Sequence, residues 1–85
     1  MKIIFTKNIL YGKIPGLKEL GLVVTKQRIR NTIMRPEHVS GILGDGTCIA
    51  SKKLTKELVL RVVYKFDGGI IKVITIYPTS SGRYY

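Results

Sequence analysis

The stretch Glu57–Tyr77, ELVLRVVYKFDGGIIKVITIY, predicts a β-hairpin. Alternate residues of its first half form a wholly apolar set, which comprises Leu58, Leu60, Val62, Tyr64 and Phe66. A period of two is typical of a strand, because successive side chains point to opposite faces. Asp67, Gly68 and Gly69 interrupt the run, and glycine reaches the positive φ angles that tight hairpin turns need. The β-branched run 70–77 predicts the second strand. Pro78 is expected to end it, because proline has no N–H to donate to a neighbouring strand.

The other face of the first strand carries Arg61 and Lys65 among valines. We expect this face to stay open while helices cover the apolar one. The turn leaves two registers possible, since a slip of one residue exchanges the faces. A two-residue loop would place Lys72 beside Lys65, whereas a three-residue loop would place Thr75 and Tyr77 on the Arg61 face. We prefer the three-residue loop, because it separates the two lysines.

The residues before the hairpin predict two helices and three further strands. Thr25 is a natural N-cap for the second helix, and Pro15 divides the first helical stretch into two short pieces. The predicted elements are a strand at 1–6, helical pieces within 8–20, a helix at 26–34, and strands at 39–43 and 47–51, with a turn at 44–46. This β-α-α-β-β-β-β order predicts one α+β domain over residues 1–85. Its two N-terminal helices would pack on one face of a mainly antiparallel sheet of four to five strands.

Charge is the strongest global feature of the composition. Fifteen Lys and Arg against five Asp and Glu give a net charge of +10 over 85 residues. Such a field attracts polyanions, so nucleic acid is the leading partner, followed by an acidic protein and by anionic lipid. A structural protein with a merely basic surface is the least favoured reading. No apolar run approaches the roughly 18 residues of a membrane span, and we interpret residues 1–10 as a strand and not as a signal peptide.

Several classes of site have no matching motif. Cys48 and His38 are each the single residue of their type, so no zinc-binding cluster is predicted, and we expect neither a metal nor a cofactor. Cys48 cannot form an internal disulfide, which fits a reducing cytoplasm. His38 has no partner residues nearby in the sequence, and we interpret it as structural and not catalytic.

The remaining candidates are cations, tyrosines and hydroxyls. Arginine binds phosphate through two N–H groups and stabilises charge growing on a phosphoryl oxygen. Tyrosine stacks on bases and passes protons. RNA cleavage through the 2′-hydroxyl needs these functions, but the same residues could simply hold a phosphate or an acidic partner. The set comprises Lys7, Lys52, Lys53, Arg61, Thr75, Tyr77, Ser80, Arg83, Tyr84 and Tyr85, with Lys56 adding to the basic loop after the third strand.

Residues 60–85, LRVVYKFDGGIIKVITIYPTSSGRYY, resemble the closing strands of RelE-like ribonuclease toxins and of small uncharacterised domains related to them. The segments IIFTKN at 3–8 and RPEHV at 35–39 are similar to those smaller domains. The resemblance implies a RelE-like fold, RNA (including ribosome-bound mRNA) as substrate, and often an acidic antitoxin partner. It matches Arg61 to the arginine of the family's R-V-x-Y strand, and Arg83 and Tyr85 to the later arginine and tyrosine, with Tyr84 as the alternative to Tyr85.

This chain departs from the smaller domains at Asn8, where they carry a histidine. An amide cannot act as a general base near neutral pH, although RelE-like toxins work without that histidine. The sequence therefore predicts a metal-independent endoribonuclease of the toxin type, and the alternative is a non-catalytic module that binds RNA or a partner. The predicted catalytic residues are Arg61, Arg83, Tyr85, Tyr84 and Lys7. The predicted RNA-binding residues are Lys52, Lys53, Lys56, Lys65, Thr75, Tyr77 and Ser80.

Overall fold

The computed structural model describes residues 2–40 and 46–80, and within them it shows two α-helices and a five-stranded sheet. The strands are β1 (Lys2–Phe5), β2 (His38–Ser40), β3 (Thr47–Lys53), β4 (Leu58–Asp67) and β5 (Ile70–Ser80). The helices are α1 (Ile14–Glu19) and α2 (Lys26–Met34), and a π-helical turn (Asn8–Lys13) leads into α1. The predicted strand at 39–43 and turn at 44–46 fall largely on residues 41–45, which lie outside the described residues.

The strands are ordered β1-β5-β4-β3-β2, so β4 is the central strand. Every pairing is antiparallel except that of β1 with β5, which is parallel. The predicted α+β class and mainly antiparallel sheet are confirmed. The helices are not a purely N-terminal pair, because β1 precedes them and forms one edge of the sheet.

The hairpin between β4 and β5 turns through two residues and not three. Asp67 pairs with Ile70, while Gly68 and Gly69 have φ angles of 56° and 84°. Positive φ at both central residues is the signature of a type I′ turn, whose twist matches that of the flanking strands. The preference for a three-residue loop is therefore wrong. Lys72 lies directly opposite Lys65.

A β-bulge changes the register farther along the same hairpin. Val63 pairs with Thr75, but Tyr64 pairs with Val73, so Ile74 is an extra residue on β5. One extra residue exchanges the faces of everything beyond it. Tyr77 and Thr75 consequently share a face with Arg61, as do Lys65 and Lys72, so Thr75 and Tyr77 lie on the expected face although the loop has two residues.

The prediction that Pro78 ends the last strand is wrong, because β5 continues to Ser80 and Pro78 pairs with Leu60. Since β1 pairs only with residues 70–73 of β5, Pro78 lies where β5 is an edge strand among the described residues. Proline is tolerated in that position because no neighbour needs its missing N–H.

The turn glycines provide a stability test. A Cβ added at Gly69 would meet no atom within 4 Å, so the cost of alanine there is conformational and comes from the positive φ. We expect Gly69→Ala to lower the free energy of unfolding by about 1–2 kcal/mol, measured by urea denaturation. Gly16 in α1 is the matched control, because a Cβ there also meets nothing. Gly16→Ala should stabilise the protein by up to about 1 kcal/mol, and equal effects at both sites would contradict the turn geometry.

Defined residues mark the first turn and the end of α1 and the beginning of α2. Pro15 occupies the first turn of α1, where its missing N–H costs nothing. Gly21, with a φ of 82°, closes α1, and the N–H of Leu22 donates to the carbonyl of Leu17 at 2.9 Å. Thr25 caps α2 as predicted, because its Oγ1 accepts a hydrogen bond from the backbone N–H of Arg28 at 3.1 Å.

The core lies between the helices and one face of the sheet. On that face β4 contributes Leu60 and Val62, as its alternation predicts, and α2 contributes Ile29 and Ile33. The buried cluster comprises Ile9, Leu17, Val24, Ile29, Ile33, Leu54, Leu60, Val62, Ile71, Val73 and Ile76. These contacts fix the sheet against the helices, so the other face of β4 is directed away from them.

Tyr64 packs against the core cluster. Its position makes the free energy of unfolding depend on pH in the alkaline range. Burial, and then the charge and hydrogen bonding of Cys48, raise the pKa of Tyr64 above its ordinary value of 10.0. Above that ordinary pKa the unfolded chain loses the Tyr64 proton while the folded chain keeps it. The free energy of unfolding should therefore fall as the pH rises from about 10 through the raised folded pKa.

A Tyr64→Phe variant removes this ionisation while it keeps the aromatic ring. We expect its urea midpoint to fall less than that of the wild type between about pH 9 and about pH 11. Equal falls in the two proteins would show that Tyr64 titrates in the folded state as it does in the unfolded chain.

Candidate functional site

Four polar side chains lie in register across the sheet face opposite the helices, which we call the Arg61 face. His38 on β2 is opposite Ser51 on β3, Ser51 is opposite Arg61 on β4, and Arg61 is opposite Tyr77 on β5. We call these four residues the Arg61 row. Adjacent strands lie about 4.8 Å apart, so the row spans about 14 Å and brings an imidazole, a guanidinium and a phenol onto one face.

The bulge in β5 is what completes the Arg61 row. Lys65 pairs with Lys72 near the turn. If that register continued unchanged, Arg61 would lie opposite Ile76, and Tyr77 would point towards the helices. The extra residue at Ile74 instead places Tyr77 opposite Arg61. Bulges are frequent beside functional sites because they redirect a side chain in this way.

The Arg61 side chain crosses β3 and reaches the edge strand of the sheet. Its Nη2 donates a hydrogen bond to Ser40 Oγ on β2 at 3.2 Å. On the β5 side, its guanidinium carbon lies 5.7 Å from the centre of the Tyr77 ring, within the range of a cation–π interaction. Arg61 therefore links three strands and holds a fixed position.

The Arg61 face is not open at its centre. Arg61 is only 5% exposed, and its neighbours Ser51 and Val59 are fully buried. The expectation of an uncovered face is therefore wrong at this position. Burying a guanidinium is unfavourable unless other groups compensate its charge and accept hydrogen bonds from its N–H groups. The ring of Tyr77 and the hydroxyl of Ser40 provide part of this compensation. Ser51 Oγ is buried and has no hydrogen-bond partner in the described part of the chain.

Towards the hairpin turn, the same face becomes exposed and basic. Lys65 and Lys72 are both exposed and lie directly opposite each other on adjacent strands. Together with Ile4, Asp67 and Ile70 they line an open cavity of about 360 Å³. Like charges at directly opposite positions repel, and an anion between them would relieve that repulsion. Lys65 is four residues from Arg61, or about 13 Å along the strand.

The other predicted RNA-binding residues divide between the two faces of the sheet. Thr75 pairs with Val63 on the Arg61 face, where exposed Lys53 pairs with Val59. Lys52 and Ser80 pair with residues of the helix-covered face, Leu60 and Leu58, and so do not belong to the Arg61 face. Lys56 is exposed in the loop between β3 and β4.

The predicted catalytic residues are not brought together by the described structure. Lys7 is exposed at the start of the π-helical turn. No hydrogen bond or ring contact within residues 2–40 and 46–80 joins Lys7 to the Arg61 row. Arg83, Tyr84 and Tyr85 lie outside the described residues, so their catalytic roles stay predictions.

Sequence reasoning missed three members of this site: His38, Ser40 and Ser51. Each occupies the strand position that shares a face with Arg61, or contacts Arg61 directly. The alternation of residues within each strand was visible in the sequence. The register between strands was not, so the interpretation of His38 as an isolated structural histidine could not take its alignment with Ser51 and Arg61 into account.

Comparisons with protein-family models, with curated proteins and with solved structures find no significant match. The RelE-like resemblance therefore stays an expectation. No group of three or more potential metal ligands from His, Cys, Asp and Glu occurs among the residues that the structure describes. Within the same residues, neither helix has the length and apolar character that crossing a bilayer requires.

Proposed function

We propose that this protein binds single-stranded RNA on the Arg61 face of its sheet. The observation that carries the proposal is that one sheet face presents the Arg61 row across the strands and, about 13 Å along them, the exposed pair Lys65 and Lys72. A face that combines cations with rings matches a polymer whose phosphates repeat along a backbone and whose bases present flat faces. The net charge of +10 supports a polyanionic partner.

The exposed lysines would supply the phosphate contacts. Lys53, Lys65 and Lys72 are exposed on the Arg61 face, whereas Arg61 itself is almost fully buried. Lysine ammonium groups on flexible stems suit contacts with phosphates without regard to sequence. Arg61 would act mainly by holding Tyr77 and Ser40 in place, so that the ring and hydroxyl are presented at defined positions. A cytoplasmic location and an acidic protein partner stay predictions from the sequence.

RNA cleavage through the 2′-hydroxyl is a second candidate function, and the specific observation in its favour is His38 in the Arg61 row. Imidazole is the side chain most often used for general acid–base catalysis. His38 would remove the proton of the 2′-hydroxyl, and the resulting oxygen would form a bond to phosphorus. The bond from phosphorus to the 5′-oxygen would break, and that oxygen would take a proton from solvent water, because Tyr77 lies at the other end of the Arg61 row, about 14 Å from His38. The products would be a 2′,3′-cyclic phosphate and a 5′-hydroxyl.

A guanidinium beside the phosphate would stabilise the additional negative charge of the pentacovalent intermediate. Arg61 reaches Ser40, two residues from His38 on the same strand. The imidazole of His38 and the guanidinium of Arg61 could therefore act on one phosphodiester. In this proposal His38 supplies the base, since Asn8 occupies the position at which the related domains carry their histidine. The resemblance to RelE-like toxins supports this second candidate. We propose that this cleavage would need no metal ion.

Two measurements on one preparation test these functions. Fluorescence anisotropy of a labelled single-stranded RNA, repeated over a series of salt concentrations, measures binding. Three phosphate contacts would give a slope of about −2 in a plot of log affinity against log salt concentration. Affinity that does not depend on salt would contradict RNA binding. Gel analysis of the same RNA in the presence of EDTA measures cleavage, and cleavage that is unchanged in His38→Gln would contradict the assignment of His38 as the base.

A further inference from the structure

A second polar cavity lies away from the Arg61 row, between the beginning of α2 and the end of β3. Its volume is about 450 Å³, within the range of small-ligand sites. Its polar lining comes from Thr25, Gln27, Arg28, Asn31 and Thr32 at α2 and from Lys52 and Lys53 on β3. Three of these seven side chains carry a positive charge, and no acidic residue lines the cavity in the described part of the chain.

One of the three cationic groups of this cleft, the guanidinium of Arg28, is held by the fold. Arg28 Nη2 donates to the carbonyl of Leu54 at 2.8 Å, which ties α2 to the chain that follows β3 and fixes the guanidinium. Gln27 Nε2 donates to Asn31 Oδ1 at 3.3 Å, so the amide nitrogen of Asn31 is left as a donor for a ligand. The cleft therefore presents positive charge together with neutral N–H donors, which is the pattern that phosphate oxygens require.

Lys52 and Lys53 reach the cleft because β3 is longer than its neighbour β2. β2 pairs only with residues 49–51 of β3, so the last two residues of β3 lie at the sheet edge. There the carboxylate of Glu37 accepts the backbone N–H of Lys53 at 3.2 Å. Lys53 also belongs to the Arg61 face, two residues along β3 from Ser51 in the Arg61 row. A single ligand chain could therefore contact both places.

We infer that this cleft is a second phosphate-binding subsite, which takes a phosphate of the RNA chain that lies on the Arg61 face. The inference rests on the proposed function for the identity of the ligand. Three clustered cations repel one another in the free protein, and a phosphate would neutralise them where Arg28 can donate two N–H groups to it. The negative charge of Glu37 opposes the binding of phosphate, so removing that charge should strengthen phosphate binding in the cleft.

The first test uses inorganic phosphate and the NMR amide signals of the full chain, at constant ionic strength. Saturable shifts at Thr25, Arg28 and Lys53 are expected in the wild type. They should be lost in Lys52→Gln/Lys53→Gln and retained in the control Lys13→Gln/Lys18→Gln, which removes two exposed charges from residues that do not line the cleft. Shifts of equal size near every lysine, without saturation, would overturn the inference. Thermal unfolding checks that each variant is folded.

The second test uses single-stranded RNA and separates this inference from the proposed function. At 200 mM salt the loss of one phosphate contact should weaken RNA binding about threefold in the cleft variant Lys52→Gln, whose residue does not belong to the Arg61 face, and Glu37→Gln should strengthen it. Unchanged affinity in the cleft variant, with weakened binding in Lys65→Gln/Lys72→Gln, would overturn the cleft and leave the proposed function standing. A wild-type protein that shows saturable phosphate shifts in the cleft but no RNA affinity would support the phosphate site and contradict the proposed function.

Discussion

Replacing both exposed lysines near the hairpin turn, Lys65→Gln and Lys72→Gln, is expected to weaken the binding of single-stranded RNA about sixty-fold at 50 mM salt. Each lost phosphate contact removes about 0.7 from the slope of log affinity against log salt concentration. For two contacts the slopes of the wild type and the variant differ by about 1.4. If the two proteins bind RNA equally at 1 M salt, this difference makes the loss of affinity about sixty-fold at 50 mM and about tenfold at 200 mM. Fluorescence anisotropy over a salt series measures both quantities.

The stability of this variant should not fall, because the two lysines face each other with like charge. The matched control is Lys13→Gln/Lys18→Gln, which removes the same charge from exposed positions at the helices. If RNA bound through net charge alone, both double variants would lose the same affinity. That result would contradict a binding surface on the Arg61 face, whereas a clear difference between the variants would support it.

Arg61→Ala is expected to lower the free energy of unfolding by about 2–5 kcal/mol. The buried guanidinium donates to Ser40 and lies over the Tyr77 ring, so alanine removes a hydrogen bond to a charged group, worth about 1.5–3 kcal/mol. It also removes a cation–π contact worth about 0.5–2 kcal/mol.

The same change should abolish any RNA cleavage, because the guanidinium would be the group that stabilises the charged intermediate. Urea denaturation and gel analysis of RNA measure the two effects.

Arg61→Lys is the informative companion variant. An ammonium keeps the charge but cannot donate through a planar fork or cover the Tyr77 ring in the same way. We expect its stability to lie between those of the wild type and Arg61→Ala, with cleavage reduced about 10²–10³-fold. Full stability in Arg61→Ala would show that Arg61 is not a structural centre of this face. Cleavage in Arg61→Lys at the wild-type rate would exclude Arg61 from the chemistry.

Much of the fold could be predicted because its signals are local. The alternation in β4, the two glycines of the turn and the N-cap at Thr25 each specify their structure within a few residues. The continuation of β5 through Pro78 could not be predicted in this way. It depends on how far β1 extends beside β5, which is a property of the assembled sheet and not of the segment.

The candidate site could be predicted only in part, because it depends on register. The sequence predicts Arg61 and Tyr77 as site residues by their chemical type, but the bulge at Ile74 is what aligns them. No local sequence signal marked that bulge, since Ile74 stands in an uninterrupted β-branched run. His38 and Ser51 joined the site only through pairings across β2, β3 and β4. The burial of Arg61 was likewise hidden, because it follows from the path of the side chain towards Ser40.

The central claim is that RNA lies on the sheet face opposite the helices, and photo-cross-linking tests it most directly. A single-stranded RNA that carries photoreactive bases would be irradiated with the full chain, and mass spectrometry would identify the attached residues. The account predicts attachment at His38, Lys65 and Tyr77 on the Arg61 face. Tyr11, which is 77% exposed in the π-helical turn, serves as the internal control. Attachment mainly at Tyr11, with none on the Arg61 face, would contradict the account.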